Sequence, residues 1–183
     1  MLRLLERNIA SIEKRLVLVA PPDVSLPASF INVTTDRDRH QHLVHEMQRL
    51  RGSIYLNDGA VQRHQLTTDG LHRTPEDEKS WHLLMLNGQQ GVSSCAWYME
   101  HDDAAQFEQL RVRNCALARS DSWRETLERA IESELQRARR DGLRYAEVGG
   151  WAVAKESRCT SEGLLLALAA YSLGRNLGVA LGL

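Results

Sequence analysis

Hydrophobic residues recur at helical spacing in the first third of the chain and predict two helices. Met1–Arg15 is predicted to be a short amphipathic helix, because apolar residues follow one another at intervals close to a helical turn. These residues are Leu2, Leu5, Ile9, Ile12 and Leu16. Asp36 is suited to cap a second helix that runs to about Arg51. We interpret residues 1–35 as an N-terminal appendage to the domain that follows.

Two apolar segments in the middle of the chain predict a β-hairpin. A long polar stretch, Gln62–Lys79, separates them from the second helix. The two strands of the hairpin are predicted to be Trp81–Leu86 and Val92–Met99, because the turn-forming residues 87–91 connect them. Phe107–Leu117 is predicted to hold one more strand.

The second half of the chain alternates between helix and strand. Its clearest helix begins at Asp121 or Ser122 and runs to about Arg140, and Asp141-Gly142 ends it. The next elements are a strand, a polar turn, a buried apolar helix and a last strand: Arg144–Val153, Glu156–Gly163, Leu164–Leu173 and Leu177–Leu183. This order predicts an α/β fold over residues 36–183, with a mixed central sheet flanked by helices.

The composition excludes several classes of protein. The chain has 183 residues, 43% hydrophobic and 26% charged, and its 23 basic residues balance 24 acidic ones. A near-neutral chain without a basic stripe argues against nucleic acid as the main partner. No apolar run approaches the roughly 20 residues of a membrane span, and residues 1–20 are too charged for a signal peptide. Three scattered cysteines without a CxxC pair indicate a reducing compartment, so we predict a cytoplasmic protein.

The segment from Glu147 to Leu166 is the most informative part of the sequence. A strand runs into a turn of small residues that opens a helix, and the first backbone N–H groups of a helix point outward at the positive end of its dipole. Gly163 would let a ligand approach the backbone, and Arg158 would add a charged contact. The residues alone leave two interpretations: a plain strand–helix turn with a solvated arginine, or a cradle for phosphate.

This segment resembles the acyl-donor-binding motif of the GNAT acyltransferase superfamily, which reads Arg/Gln-x-x-Gly-x-Gly/Ala after a strand. Arg158-x-x-Ser161-x-Gly163 fits that motif, with Ser161 in place of the first glycine. The resemblance implies that the backbone N–H of Val153 polarises the thioester carbonyl. It also implies that the donor phosphate is bound by the loop, whose residues are Arg158, Cys159, Thr160, Ser161, Glu162 and Gly163.

Within that superfamily the chain is most similar to the branch of N-acyl amino acid synthases and acyl-homoserine-lactone synthases. The similarity lies in four segments: Arg51-Gly-Ser-Ile-Tyr55, the acidic run Glu76–Ser80, Cys95-Ala-Trp-Tyr and the strand that begins at Glu147. It implies transfer of a fatty acyl group from acyl carrier protein or coenzyme A to a small-molecule amine. No permanently bound cofactor is expected, since the acyl-CoA or acyl-phosphopantetheine is a co-substrate.

The resemblance also assigns the reacting groups. Glu147 matches the branch's proposed base, and a carboxylate on an interior strand is expected to have a raised pKa. The alternative is that Glu147 pairs with Arg144 or Arg113 at the strand edge. Residues assigned to the substrate side are Arg51, Tyr55, Trp97 and Trp151.

Two departures from the branch argue against S-adenosylmethionine as the substrate. Trp97 stands where the branch has arginine, and Gly149-Gly150 stands where it has Ser-Arg. With the substitution at Ser161, these departures keep open a non-catalytic binding module of the same fold. An ordinary coenzyme-A-dependent acetyltransferase is the other alternative.

Three other features have weaker claims to a function. His40, His42 and His45 are close in sequence, but on a helix the first two point about 200° apart, so no metal site is predicted. Cys159 at a helix start favours a thiolate, but no histidine stands at a fixed spacing to make it a nucleophile. The run 137–140 is either a solvated helix end or a docking patch for acyl carrier protein.

The end of the chain bears on assembly. A complete GNAT domain continues after its fifth strand with a helix and two further strands, whereas this sequence stops at Leu183. Either the sequence is a fragment, or a partner chain completes the open sheet edge, as in a homodimer.

Overall fold

A computed structural model of the chain describes residues 16–22, 24–26, 28, 30, 36–88, 91–178 and 180–182. The helix predicted over Met1–Arg15 lies outside these residues.

Within the described residues, five strands form one mixed sheet in the order β1-β2-β3-β4-β5. They are Leu16–Val19 (β1), Trp81–Leu86 (β2), Val92–His101 (β3), Arg144–Val153 (β4) and Ala180–Gly182 (β5). The pairs β1–β2 and β2–β3 are antiparallel, and β4–β5 is parallel. The hairpin and the mixed α/β character predicted from the sequence are therefore confirmed. β1 comes from the segment interpreted as an appendage and forms the edge strand beside β2.

The α-helices of the described residues are Arg37–Asn57 (α1), Arg124–Asp141 (α2) and Glu162–Leu177 (α3). The chain divides into two compact units, each assembled from two stretches of sequence. Unit 1 takes its described residues from Met1–Tyr98 and Gly149–Tyr171, and unit 2 from Met99–Val148 and Ser172–Leu183. The predicted domain boundary after residue 35 stays a prediction.

Helix α1 covers the sheet within unit 1 and runs six residues beyond its predicted end. Asp36 caps it as predicted, since its carboxylate accepts the N–H of Arg39 at 3.0 Å. The helix continues through Gly52, where the absence of a side chain lets the polypeptide at Gly70 pack directly on the helix: an added Cβ would lie 2.2 Å from the carbonyl oxygen of Gly70. The core of unit 1 is formed by Val19, Leu43, Met47, Leu84, Leu86, Val92, Cys95 and Ala152.

Helix α2 organises unit 2 and ends as predicted, with Gly142 in a left-handed conformation at φ 64°. The strand predicted over Phe107–Leu117 is wrong, because this segment forms three short 3-10 turns. The backbone N–H groups of this segment donate to two carboxylates and not to a neighbouring strand. Glu132 accepts the N–H of Phe107, and Glu147 accepts two further N–H groups. The core of unit 2 is formed by Ala105, Phe107, Leu110, Ala118, Ile131, Leu135, Ala138 and Tyr145.

Helix α3 begins two residues before its predicted start and continues to Leu177. It was predicted to be a buried helix, which is wrong for one of its two faces. Leu166, Ala170 and Leu173 are buried, whereas the other face of the helix is exposed. The exposed residues, at helical spacing, are Leu164, Leu168 and Tyr171.

Candidate functional site

The loop between β4 and α3 (residues 154–161, the β4–α3 loop) presents unpaired backbone N–H groups. After Val153 the chain makes a 3-10 turn at Lys155–Ser157, and Cys159 then takes a left-handed conformation with φ 63°. Among the residues that the structure describes, four consecutive or near-consecutive positions have an N–H without an acceptor: Cys159, Ser161, Gly163 and Leu164. They lie at the positive end of a 16-residue helix, which favours an anion there.

The space beside these amides is open at Gly163. A Cβ added to Gly163 would meet no described heavy atom within 4 Å. Thr160 is more engaged, since its hydroxyl donates to the carbonyl of Ser157 at 2.7 Å and accepts the N–H of Glu162 at 3.2 Å. These contacts hold the turn within the loop and do not occupy the four unpaired N–H groups.

Arg158 lies beside the loop and forms an exposed ion pair that the sequence did not reveal. Its Nη2 is 2.8 Å from Oδ2 of Asp58, and its Nε is 3.5 Å from the carbonyl of Val153. Asp58 is the C-terminal cap of α1, one hundred positions away in sequence. Both side chains are nearly half exposed, and such pairs contribute only about 0–1 kcal/mol. A phosphate would therefore compete easily for the guanidinium.

The side chain of Glu162 turns away from the surface of the loop. Its Oε2 accepts the hydroxyls of Ser93 at 3.0 Å and Ser94 at 2.8 Å, and all three residues are buried. The sequence resemblance assigned Glu162 to the donor-binding residues, and nothing in the sequence indicates that its side chain is buried. Nothing in the local pattern of β3 identifies the two serines as its partners.

Glu147 accepts three hydrogen bonds within unit 2. Its Oε2 is 2.9 Å from both Nε2 of His101 and the N–H of Arg111, and its Oε1 is 2.9 Å from the N–H of Val112. Burial alone would raise the pKa of this carboxyl, but the His101 contact and the two N–H groups outweigh burial and lower it. The expectation of a raised pKa is therefore wrong.

Neither arginine proposed as an alternative partner is the one that Glu147 contacts. Arg144 instead pairs with Glu100 at 2.6 Å. The sequence analysis did not identify His101, because this last residue of β3 belongs to no recognisable motif. The catalytic role of Glu147 stays a prediction.

Arg51 is buried in a polar network of unit 1 and is only 1% exposed. Its Nη2 contacts Oδ2 of Asp77 at 2.7 Å and the carbonyl of His72 at 2.6 Å. Burial raises the pKa of the Asp77 carboxyl, but the hydrogen bond and charge of Arg51, with the N–H of Thr74, outweigh it and lower this pKa. The arginine thus joins the acidic run to α1, and its predicted contact with substrate stays a prediction.

The aromatic residues assigned to the substrate side differ in exposure. Tyr55 is partly buried and lies edge-on to the His72 ring. Trp151 is more than a third exposed, whereas Trp97 is buried.

The indole of Trp97 explains the two glycines that follow Val148. A Cβ added at Gly149 would lie 2.5 Å from Cζ2 of the indole, and one at Gly150 would lie 2.1 Å from Cδ1. Gly150 also has φ 64°. The ring fills the space that side chains at positions 149 and 150 of β4 would need. The two departures from the resembled branch, Trp97 and the Gly-Gly pair, therefore depend on each other.

The remaining candidates are placed apart from one another. His40 contacts the carbonyl of Ala20, and His45 lies 3.8 Å from Asp69. No group of three or more His, Cys, Asp or Glu within the described residues is arranged to hold a metal ion. Cys159 is exposed, and burial raises the pKa of the Cys95 thiol to about 12.

The basic run at the end of α2 makes contacts within unit 2. Arg137 and Arg140 both lie near Asp141, and Arg139 donates to the carbonyls of Asp103 and Ala105. These contacts favour the interpretation of the run as a solvated helix end.

None of the described helices has both the length and the apolar character that a membrane span requires.

Comparison with known proteins gives a similarity of structure and none of sequence. No family model matches the sequence, and no curated protein matches it. The chain is similar to the structure of FeeM, an N-acyl amino acid synthase from uncultured soil microbes, with a TM-score of 0.47 and 12% sequence identity. The similarity covers 90% of this chain and 67% of that one.

Proposed function

We propose that this chain is an N-acyltransferase that moves an acyl group from a phosphopantetheine thioester to a small-molecule amine. The observation that carries the proposal is the set of four unpaired N–H groups around the start of α3, flanked by the exposed guanidinium of Arg158. Backbone N–H groups and a helix dipole bind phosphate oxygens without any further device. The motif resemblance assigns that phosphate to coenzyme A or to the arm of acyl carrier protein.

Donor binding divides the loop into two kinds of residue. Cys159, Ser161 and Gly163 contribute backbone N–H groups, and Arg158 leaves Asp58 for the phosphate. Thr160 and Glu162 support the loop from within, since the Thr160 hydroxyl holds the Glu162 N–H and the Glu162 carboxylate is buried. The open side of Gly163 leaves room for the ligand to approach the backbone.

The reaction needs a polarised carbonyl and a proton acceptor. The amine nitrogen attacks the thioester carbon, the new C–N bond replaces the C–S bond, and the thiolate leaves and is protonated. The N–H of Val153 polarises the carbonyl in this proposal. The sequence resemblance assigns the amine proton to Glu147, directly or through water.

Binding of the donor tests the proposal at Arg158. The affinity of coenzyme A and of acyl-acyl carrier protein is measured by calorimetry for the wild type and for three variants. Arg158→Ala is expected to weaken binding about tenfold or more, because a charge-assisted contact is lost. Asp58→Asn frees the guanidinium and is expected to tighten binding by about two- to fivefold. Arg37→Ala, at another exposed arginine, is the matched control and leaves affinity unchanged.

Absence of binding to either donor, or an Arg158→Ala affinity equal to the wild type, would contradict the proposal. The two donors also separate the carrier-protein enzyme from a coenzyme-A-dependent acetyltransferase: turnover of acetyl-CoA with no use of carrier-bound acyl chains selects the latter.

A non-catalytic binding module is the second candidate. It is favoured by the buried Arg51, whose guanidinium already contacts Asp77, and by Trp97, whose ring covers the backbone of Gly149 and Gly150. Donor binding without formation of an N-acyl product, followed by mass spectrometry over a panel of amines and amino acids, would select this candidate.

A further inference from the structure

We infer that Ser93, Ser94 and Glu162 form a buried clamp that sets the geometry of the β4–α3 loop, with Glu162 a positioning residue and not a ligand of the donor. The functional half of this inference rests on the proposed function, because it concerns the loop assigned to the donor phosphate. The structural half rests on contacts within unit 1 alone.

Ser93 holds both ends of the loop. Its carbonyl oxygen accepts the N–H of Ala154 at 2.8 Å, where the loop begins. Its hydroxyl lies 3.0 Å from Glu162 Oε2, where α3 begins, and 3.2 Å from the carbonyl of Met85. A single residue of β3 thus fixes the spacing between the two ends of the eight-residue loop, which carries the unpaired N–H groups of Cys159 and Ser161.

A β-bulge explains how two neighbouring serines reach the same carboxylate oxygen. In a regular strand, adjacent side chains point to opposite faces of the sheet. The register between β2 and β3 shifts at this place: Met85 is opposite Ser94 and Leu86 is opposite Val92, which leaves Ser93 as the extra residue. A bulge redirects the side chain of its extra residue. The hydroxyls of Ser93 and Ser94 therefore both lie within hydrogen-bond distance of Glu162 Oε2, and the single proton of Ser93 is shared between this oxygen and the carbonyl of Met85.

The clamp also accounts for a carboxylate at this position. A buried carboxylate is unfavourable unless hydrogen bonds replace its water, and the two hydroxyls supply such bonds. An acidic group in the first turn of a helix is favoured by the dipole. Because the side chain is buried, its carboxyl group is kept away from the surface where the donor phosphate would lie.

Hydrogen exchange followed by mass spectrometry tests the clamp without any ligand. In Glu162→Ala, peptides covering residues 154–165 are expected to exchange about tenfold faster or more, since bonds to a charged group are lost. Peptides from α2 are expected to exchange at the wild-type rate. Ser94→Ala is expected to give a smaller increase confined to the same peptides. Glu156→Ala removes an exposed acid from the same loop and is the matched control, with no change.

Affinity for coenzyme A then connects the clamp to the donor. Glu162→Ala is expected to weaken binding about tenfold at a temperature where it is fully folded, and Glu162→Gln, which keeps an oxygen for the two hydroxyls, is expected to recover most of that loss. Unchanged exchange in residues 154–165 overturns the clamp. Faster exchange with wild-type affinity overturns the positioning role. A wild type that binds no donor refutes the proposed function, and the exchange result still decides the clamp.

Discussion

At the scale of single residues, Gly150 is fixed by two independent constraints. Its φ of 64° is a conformation that side chains disfavour by about 1–2 kcal/mol, and its Cα faces the indole of Trp97. A methyl group there would overlap Cδ1 of the ring at 2.1 Å.

Gly150→Ala is therefore expected to lower the free energy of unfolding by about 2–4 kcal/mol, the sum of backbone strain and overpacking. In a Trp97→Ala background the same substitution should lose only about 1–2 kcal/mol, because the overlap is gone and the strain remains. Urea unfolding of the four proteins gives the coupling directly. Gly59→Ala is the control: its φ is 73° and no described atom lies within 4 Å of the added Cβ. If the losses in free energy of unfolding from Gly150→Ala and Trp97→Ala were additive in the double variant, the indole ring would not be the reason for a glycine at position 150.

At the scale of elements, Glu147 connects β4 to the 3-10 turn Arg111–Asn114. Its carboxylate accepts the first two N–H groups of that turn as well as His101. This arrangement gives the segment 107–119 an acceptor that a neighbouring strand would otherwise supply.

Glu147→Ala is expected to lower the free energy of unfolding by about 3 kcal/mol or more, because buried donors lose their acceptor. Glu147→Gln keeps one carbonyl oxygen and should lose about half as much. Exchange of the Arg111 and Val112 amides should accelerate in both variants, whereas Glu108→Gln, at an exposed acid on the same segment, changes neither quantity. Loss of acyl transfer with unchanged stability and exchange would instead assign Glu147 to the chemistry alone.

The sequence predicted elements well where the pattern is local. Helix α2 and its end at Gly142 follow from apolar spacing and one glycine, and the hairpin follows from alternation around a polar turn. The end of α1 and the segment 107–117 were predicted wrongly. Their structure depends on distant partners: the polypeptide at Gly70 beside Gly52, and the carboxylates of Glu132 and Glu147.

The candidate site shows the same division. The strand–loop–helix that presents the amides could be read from residues 147–166, because small residues and a helix start are local features. Its side-chain partners could not: Asp58 and the serine pair lie between about 70 and 100 positions from the residues they contact. A bulge in register, which brings Ser93 and Ser94 to one oxygen, leaves no signal in a single sequence.

At the scale of the whole molecule, three buried titratable groups make the folded state less stable as pH falls. Burial lowers the pKa of His82, whose Nε2 contacts the carbonyl of Asp77 at 2.8 Å, so the folded chain keeps this imidazole neutral. Asp77 and Glu147 have lowered carboxyl pKa values, because their hydrogen bonds outweigh burial. For all three groups the unfolded chain binds protons more readily than the folded one, so the free energy of unfolding falls as pH falls.

The contributions separate along the pH axis. Above the ordinary histidine value of 6.5, His82 is neutral in both states and its contribution is constant. As pH falls below 6.5 the unfolded chain takes up this proton first, and stability declines by up to about 1.4 kcal/mol per pH unit until the folded pKa is reached. The carboxylates add a second decline below their ordinary values of 3.8 and 4.5.

His82→Gln is therefore expected to make the thermal midpoint nearly independent of pH between pH 7 and pH 5, while its decline below pH 4.5 remains. The reason is that the glutamine amide does not titrate, and its N–H takes the place of the imidazole N–H at the Asp77 carbonyl. The measurement is the thermal midpoint of wild type and variant by calorimetry in buffers of equal ionic strength. His64→Gln, at an exposed histidine, should keep the wild-type slope. An unaltered slope in His82→Gln would place the proton uptake elsewhere, and a steeper one would mean that the folded chain stabilises the imidazolium. Because the substitution adds no charge near Arg51, the flattening reports the histidine proton itself.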